Sequence, residues 1–378
     1  MKYYIIAGEA SGDLHASNLM KELKGKDPSA EFRFWGGDLM QQQGGKMVKH
    51  YRELAFMGFA EVIANLKTIL NNIKLCKKDI TDYRPDAIIL VDYPGFNLRI
   101  AEFAHNEGFR VFYYISPQIW AWKTSRVHKI KKFVDRMFVI LPFEKDFYKK
   151  FDVDVDFVGH PLLDMIEQLP AENPSNFRKK NNLSEKPVIA ILPGSRQQEI
   201  SKILPLMLSA CTSYPDYQFV VGGAPSIEAS FYRRFFTEGD IQIVFGQTHD
   251  LLRNSFAALV TSGTATLETA LFEVPEVVCY KGSFISYHIA KMVVDKELVK
   301  YISLVNLIMD REVVTELIQN DLNTENLKKE LDLIINNKDN YQRIKMDFIS
   351  LKEKLGGAGA SQKTASLIMG YLKDITIA

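Results

Sequence analysis

The sequence predicts an α/β protein of two Rossmann-like domains whose parallel sheets face a cleft. Three observations carry this. Short apolar runs alternate with amphipathic stretches from end to end, the pattern of parallel strands covered by helices. At 378 residues the chain is too long for one ordinary core and long enough for two. The polar, proline-broken stretch 168–176 divides the runs into two series and reads as an interdomain linker.

In chain order, strands are expected at residues 3–7, 32–35, 87–91, 111–115 and 136–140, then at 188–192, 218–221, 241–245, 257–260 and 276–280. This sets an N-terminal domain over 1–167 and a C-terminal domain over 186–355. Asp152-Val153-Asp154-Val155-Asp156 has the outward form of a metal-binding Asp-x-Asp. Strict alternation with Val153, Val155 and Phe157 instead predicts a half-buried strand with its carboxylates in solvent. No clustered Cys/His set offers a metal site. Residues 321–355 have helical spacing, and Gly356-Gly357-Ala358-Gly359-Ala360 breaks it before an amphipathic helix from Ser361 to Leu372. With the rest of the tail, about 361–378, that helix is expected to pack back on the first domain or to exchange between subunits of a homodimer.

Composition narrows the function. Hydrophobic residues make up 47% and charged residues 25%, a globular balance, and a net charge of +1 argues against a nucleic-acid binder. Cys76, Cys211 and Cys279 are odd in number and widely spaced, which fits a reducing compartment. No run approaches the ~18–20 apolar residues of a spanning helix, and the start lacks a signal-peptide core. The expectation is a cytoplasmic protein whose contact with a membrane is peripheral.

Two strand-to-helix turns suggest a bound nucleotide. Leu192-Pro193-Gly194-Ser195-Arg196 follows an apolar strand, so helix-start N–H groups and one fixed cation converge on a spot suited to a diphosphate. Ser262-Gly263-Thr264 follows the apolar stretch Phe256 to Val260, and Glu268, a turn further on, can accept both hydroxyls of a ribose or merely complement the helix dipole. In the first domain, Gly8-Glu9-Ala10-Ser11-Gly12-Asp13-Leu14-His15 is a glycine-punctuated loop at the top of the sheet, without the acidic residue of a dinucleotide site. Asp92, ending the run 87–91, is a general-base candidate or a helix cap.

These motifs, with Phe56-Met57-Gly58, Asp92-Tyr93-Pro94-Gly95-Phe96-Asn97, Ser116-Pro117-Gln118-Ile119-Trp120-Ala121-Trp122, Leu141-Pro142-Phe143-Glu144 and Val158-Gly159-His160-Pro161, occur in the order found in lipid-A-disaccharide synthases. The chain resembles that family over almost its whole length. The resemblance implies a GT-B glycosyltransferase that joins UDP-2,3-diacylglucosamine to 2,3-diacylglucosamine 1-phosphate (lipid X) and releases UDP, with the UDP-sugar a substrate and no metal or cofactor. It adds Asn306 to Gly194, Ser195, Arg196, Ser262, Gly263, Thr264 and Glu268 as donor-site candidates. Where the family has Ser-Leu-Pro-Asn, this chain has Ser303-Leu304-Val305-Asn306, a loop without the stiffening proline.

The implied reaction is a single inversion needing one base. Asp92 is the choice, with Glu9, Ser11, Asp13 and His15 as alternates or positioning groups, and His15 has the more convenient intrinsic pKa. The nearest rival is another GT-B enzyme such as a UDP-GlcNAc 2-epimerase, and a regulatory nucleotide-binding module is a further one. For contact with the inner membrane surface, Phe59, Val62, Ile63, Leu66, Ile69 and Leu70 form an apolar face beside Lys67, Lys74, Lys77 and Lys78, which reads equally as a core helix. The run Lys123, Arg126, His128, Lys129, Lys131 and Lys132 after Trp120 and Trp122 reads as a headgroup or phosphate contact, or as a solvated face.

Overall fold

The computed structural model describes residues 1–54, 66–122, 124–170, 174–236, 241–282 and 300–376. Two compact units emerge: Met1–Glu167 together with Leu355–Ala378, and Gln168–Lys354.

The first unit is built on a seven-stranded parallel sheet of β1 (Lys2–Ala7), β2 (Glu31–Gly36), β3 (Lys46–His50), β4 (Ala87–Val91), β5 (Val111–Tyr114), β6 (Arg136–Val139) and β7 (Val155–Phe157). Their order in space is β3-β2-β1-β4-β5-β6-β7. Helices cover both faces of the central strands, so β4 consists only of buried apolar residues, each contributing about 1.5–3 kcal/mol when a Val, Leu or Ile is fully buried. Chain order reverses between β1 and β4, where Ala7 stands in register with Val91. A crevice opens at the carboxyl ends of strands at such a switch point. Gly8-Glu9 and Asp92 therefore leave the sheet side by side.

The end of the chain closes this unit. Helix Ala360–Thr376 lies on helix Ala10–Lys26, burying Ala365, Ile368, Met369 and Leu372 in a core that includes Ala16, Leu19 and Met20. Asp164 accepts the N–H groups of Gly359, Ala360 and Ser361 at 2.6, 3.1 and 3.0 Å, satisfying orphan donors at the helix start.

The second unit repeats the plan with β8 (Val188–Leu192), β9 (Gln218–Gly223), β10 (Gln242–Phe245), β11 (Ser255–Thr261), β12 (Glu276–Tyr280) and β13 (Glu316–Ile318), all parallel in the order β10-β9-β8-β11-β12-β13. Its switch point lies between β8 and β11, with Leu192 beside Val260. Glu276 on β12 is a conflict within this core. It is 1% exposed, neither carboxylate oxygen has a hydrogen-bond partner, and burial, reinforced by the charge of Glu316, holds its pKa well above the usual range.

Local details depart from the sequence reading. The Asp-x-Asp strand is only Val155–Phe157, and Asp156 is not left to solvent but accepts the Tyr371 hydroxyl at 2.9 Å. The last part of the linker opens helix Pro174–Lys180, since proline is preorganised for a first helical turn.

Candidate active site

At the first switch point, Asp92 and Tyr93 both take left-handed backbone angles, φ +44° and +49°. Such angles are costly for residues with side chains and persist only where the surroundings over-determine them. Here they do. The Asp92 N–H donates to Tyr114 O (3.1 Å), and its carbonyl accepts from Tyr113 Oη (2.6 Å) and Asn97 Nδ2 (2.7 Å). The Tyr93 hydroxyl donates to Leu54 O at 3.1 Å. Gly8 lies so close beneath the Tyr93 ring that a Cβ there would be 2.3 Å from ring carbons. Burial, then the negative charge of nearby Glu9, pushes the Asp92 carboxyl up to about 6 against the pull of the Tyr93 N–H.

The alternates fare differently. Glu9 stands at the start of helix Ala10–Lys26, and Ser11 is exposed in its first turn. Asp13 is buried, and its carboxylate accepts the N–H groups of Gly37, Leu39 and Met40 at 2.7, 3.1 and 3.2 Å, an anchor between helix and loop. His15 loses the advantage of its intrinsic pKa. Burial lowers it to about 4, with Asp164 opposing, and its Nδ1 is enclosed without a partner.

At the second switch point, β8 ends at Leu192, Gly194 turns at φ +106°, and helix Gln197–Ser209 starts beyond an exposed Ser195 and Arg196. Glu199, in the first helical turn, folds back beneath this loop: a Cβ on Gly194 would meet its Oε2 at 2.2 Å. Burial raises the Glu199 carboxyl, while Arg196, the Ser195 N–H and the Thr261 hydroxyl hold it down. Glu199 is an unanticipated member of this loop, and the signal for it in the sequence is an acid three residues past the helix-capping Arg196. After β11, Gly263 and Thr264 are exposed, and the Ser262 hydroxyl donates to Ile302 O at 3.0 Å, tying segment 300–303 to this turn.

Glu268 is half-buried in helix Thr264–Leu271, and burial pushes its carboxyl up to about 7. His249 Nε2 lies 3.8 Å away, but burial lowers the pKa of that imidazole and weakens the pairing. Such a carboxyl is improved by neutral hydroxyl donors.

Asn306 turns its amide inward. It is fully buried, donates to Val314 O and Glu316 Oε1, and accepts the N–H groups of Val313 and Val314, all at 2.8–3.1 Å. Two donors and two lone pairs are the whole capacity of a side-chain amide. Within the structure that capacity is used on neighbouring backbone and Glu316, so Asn306 holds the loop from inside.

Phe56-Met57-Gly58, Phe59, Val62, Ile63 and Lys123 fall outside the described residues. Helix Leu66–Tyr83 begins with Leu66 and Leu70 exposed, beside Lys67, Lys74 and Lys78. Trp120 is a core residue, 4% exposed and edge-on to Phe143, while Lys129 and Lys131 pair with Glu102 and Asp152. Among the described residues no helix is long and apolar enough to cross a membrane, and no group of three or more His, Cys, Asp or Glu stands where it could hold a metal ion. A cavity of about 730 Å³ lined by Tyr214, Phe219, Phe235 and Ile241 also touches Lys186, Gln218 and Gln242, at the amino ends of β8, β9 and β10, away from these loops.

Two parallel-sheet units, each presenting loops at a switch point, define the architecture of GT-B glycosyltransferases and related epimerases. Solved structures of that kind cover almost all of the chain. A UDP-GlcNAc 2-epimerase from Neisseria meningitidis bound to UDP-GlcNAc matches with TM-score 0.69 at 13% identity, covering 98% of this chain and 100% of its own. A kitacinnamycin glycosyltransferase matches with TM-score 0.66 at 13% identity, covering 98% and 99%. At this identity they share the fold alone. The family model "Lipid-A-disaccharide synthetase" matches residues 3–369. Lipid-A-disaccharide synthases of Syntrophus aciditrophicus (37% identity over 376 residues, 98% of this chain and 97% of that one) and Legionella pneumophila (36% over 377, 98% and 97%) are similar throughout. The chain belongs to the lipid-A-disaccharide synthase family and is a glycosyltransferase, which disfavours the epimerase and regulatory-module alternatives.

Proposed function

We propose that this chain transfers 2,3-diacylglucosamine from UDP-2,3-diacylglucosamine to the 6-hydroxyl of 2,3-diacylglucosamine 1-phosphate, forming the β-1,6 disaccharide 1-phosphate and UDP. The observation that carries the reading is Asp92, a strained and partly buried carboxyl with a pKa of about 6 at the first switch point, in a chain of this family. Asp92 takes the hydroxyl proton as that oxygen attacks the anomeric carbon. The bond to the diphosphate breaks with its electron pair on UDP, and the configuration inverts. Arg196 and the N–H groups at the start of helix Gln197–Ser209 meet the growing charge, so the step needs no metal. Glu268 accepts the ribose hydroxyls, and its place one turn into the helix that follows the Ser262-Gly263-Thr264 loop supports this assignment.

Both substrates carry acyl chains. The exposed Leu66 and Leu70 beside lysines support docking on the anionic inner leaflet, at the cytoplasmic face. The test is product analysis with the two acylated sugars in buffer containing EDTA. A β-linked disaccharide and one UDP per turnover are expected. An α linkage overturns the inversion, loss of activity restored by magnesium overturns the metal-free step, and conversion of UDP-GlcNAc alone returns the epimerase reading.

A further inference from the structure

Asp92 has its backbone held at every polar atom, while its carboxyl meets the Tyr93 N–H of its own turn. The N–H is spent on Tyr114 O, and the carbonyl takes two donors, the Tyr113 hydroxyl from neighbouring β5 and the Asn97 amide from the following helix Pro94–Asn106. Tyr113 and Asn97 are both 0% exposed, so neither meets a substrate. Asn97 also donates to Val91 O at 3.2 Å, bridging the last strand residue and the first residue of the turn. Two adjacent side-chain-bearing residues in left-handed angles would relax if that carbonyl were released.

We propose that Tyr113 and Asn97 are positioning residues of the transfer: their shared grip on the Asp92 carbonyl holds the left-handed turn that aims the carboxyl at the acceptor hydroxyl. This rests on Asp92 being the base. Two donors on one buried carbonyl, reaching it from different elements, fix the backbone from which the carboxyl projects. Burial keeps the Tyr113 phenol protonated and therefore always a donor. Small errors in aim are costly, because a base must lie within hydrogen-bond reach of the proton it removes.

The test is a double-mutant cycle on the full-length chain with both acylated substrates. Tyr113→Phe removes one hydroxyl and keeps the ring. It is expected to lower kcat by about tenfold to a hundredfold with KM and UDP affinity unchanged. In an Asp92→Asn background the same change is expected to have no further effect on the residual rate. An unchanged kcat, or an equal loss in both backgrounds, overturns the proposal. Should Tyr113→Phe fail to fold, Asn97→Ser, which removes the other grip, takes its place in the same cycle. If Asp92→Asn itself keeps near wild-type turnover, the assignment of the base fails instead, and the two failures are distinct.

Discussion

Burial raises the Asp92 carboxyl most, and the neighbouring charge of Glu9 adds to it, so on the proposed mechanism both bear on when the base can act. A base acts only when deprotonated, so turnover is expected to fall as pH drops through about 6, the value to which burial and Glu9 raise Asp92. Glu9→Gln removes the charge contribution and leaves the burial, so the acid limb of the kcat profile should move to lower pH; a limb that stays in place would show that Glu9 does not tune Asp92. Arg196, exposed beside the Gly194 turn, is expected to act on the leaving diphosphate, and Arg196→Ala should cut kcat by about 10²–10³-fold with the melting temperature nearly unchanged, as read by steady-state kinetics and calorimetry. Glu276 belongs to stability rather than catalysis. Its pKa is raised in the folded chain, so its contribution to stability is fully present below the ordinary glutamate range and is lost as pH rises. Glu276→Met should therefore stabilise the second unit by about 1–3 kcal/mol near neutral pH and flatten the decline from acid to neutral, measured by denaturant unfolding across pH. An identical pH slope in the variant would refute this.

At the scale of elements, the sites follow from which strands adjoin, and much of that was legible. Central strands such as β1, β4 and β8 are buried on both faces and read as continuous apolar runs, and the residues just past them are the site loops. The edge strands β3 (Lys-Met-Val-Lys-His) and β13 (Glu-Leu-Ile) were not legible, because an edge strand carries polar residues and these are only five and three residues long. The inward contacts of Asn306 were not legible, because its residue type says nothing about which groups its amide faces. Tyr113 was hidden for the opposite reason: inside an apolar strand a tyrosine reads as packing, and its hydroxyl matters only once β5 lies beside β4. Helix Leu66–Tyr83 offers a test at this scale. Leu66 and Leu70 are 50% and 47% exposed, so Leu66→Ser with Leu70→Ser should leave the melting temperature within a few degrees while weakening binding to phosphatidylglycerol vesicles about tenfold or more, measured by sedimentation. Unchanged vesicle binding would remove this helix from the membrane contact.

Across the whole molecule, the first unit depends on residues from both ends of the chain. Removing residues 355–378 takes away the helix that covers Ala16, Leu19 and Met20, and the truncated protein is expected to lose the cooperative melting of its first unit while the second still melts. A single unaltered transition would show that the returning helix is dispensable. The order of synthesis gives this return a further meaning. Residues 1–167 leave the ribosome before Gln168–Lys354 but stay incomplete until helix Ala360–Thr376 is made, whereas Gln168–Lys354 is continuous and has all its parts earlier. At about 5–20 residues per second, translating the intervening unit takes on the order of tens of seconds, during which the ground that helix Ala360–Thr376 will cover stays open to chaperones and proteases. A chain that stops before helix Ala360–Thr376 leaves that ground bare, so the unit carrying Asp92 closes only after the second unit has been synthesised.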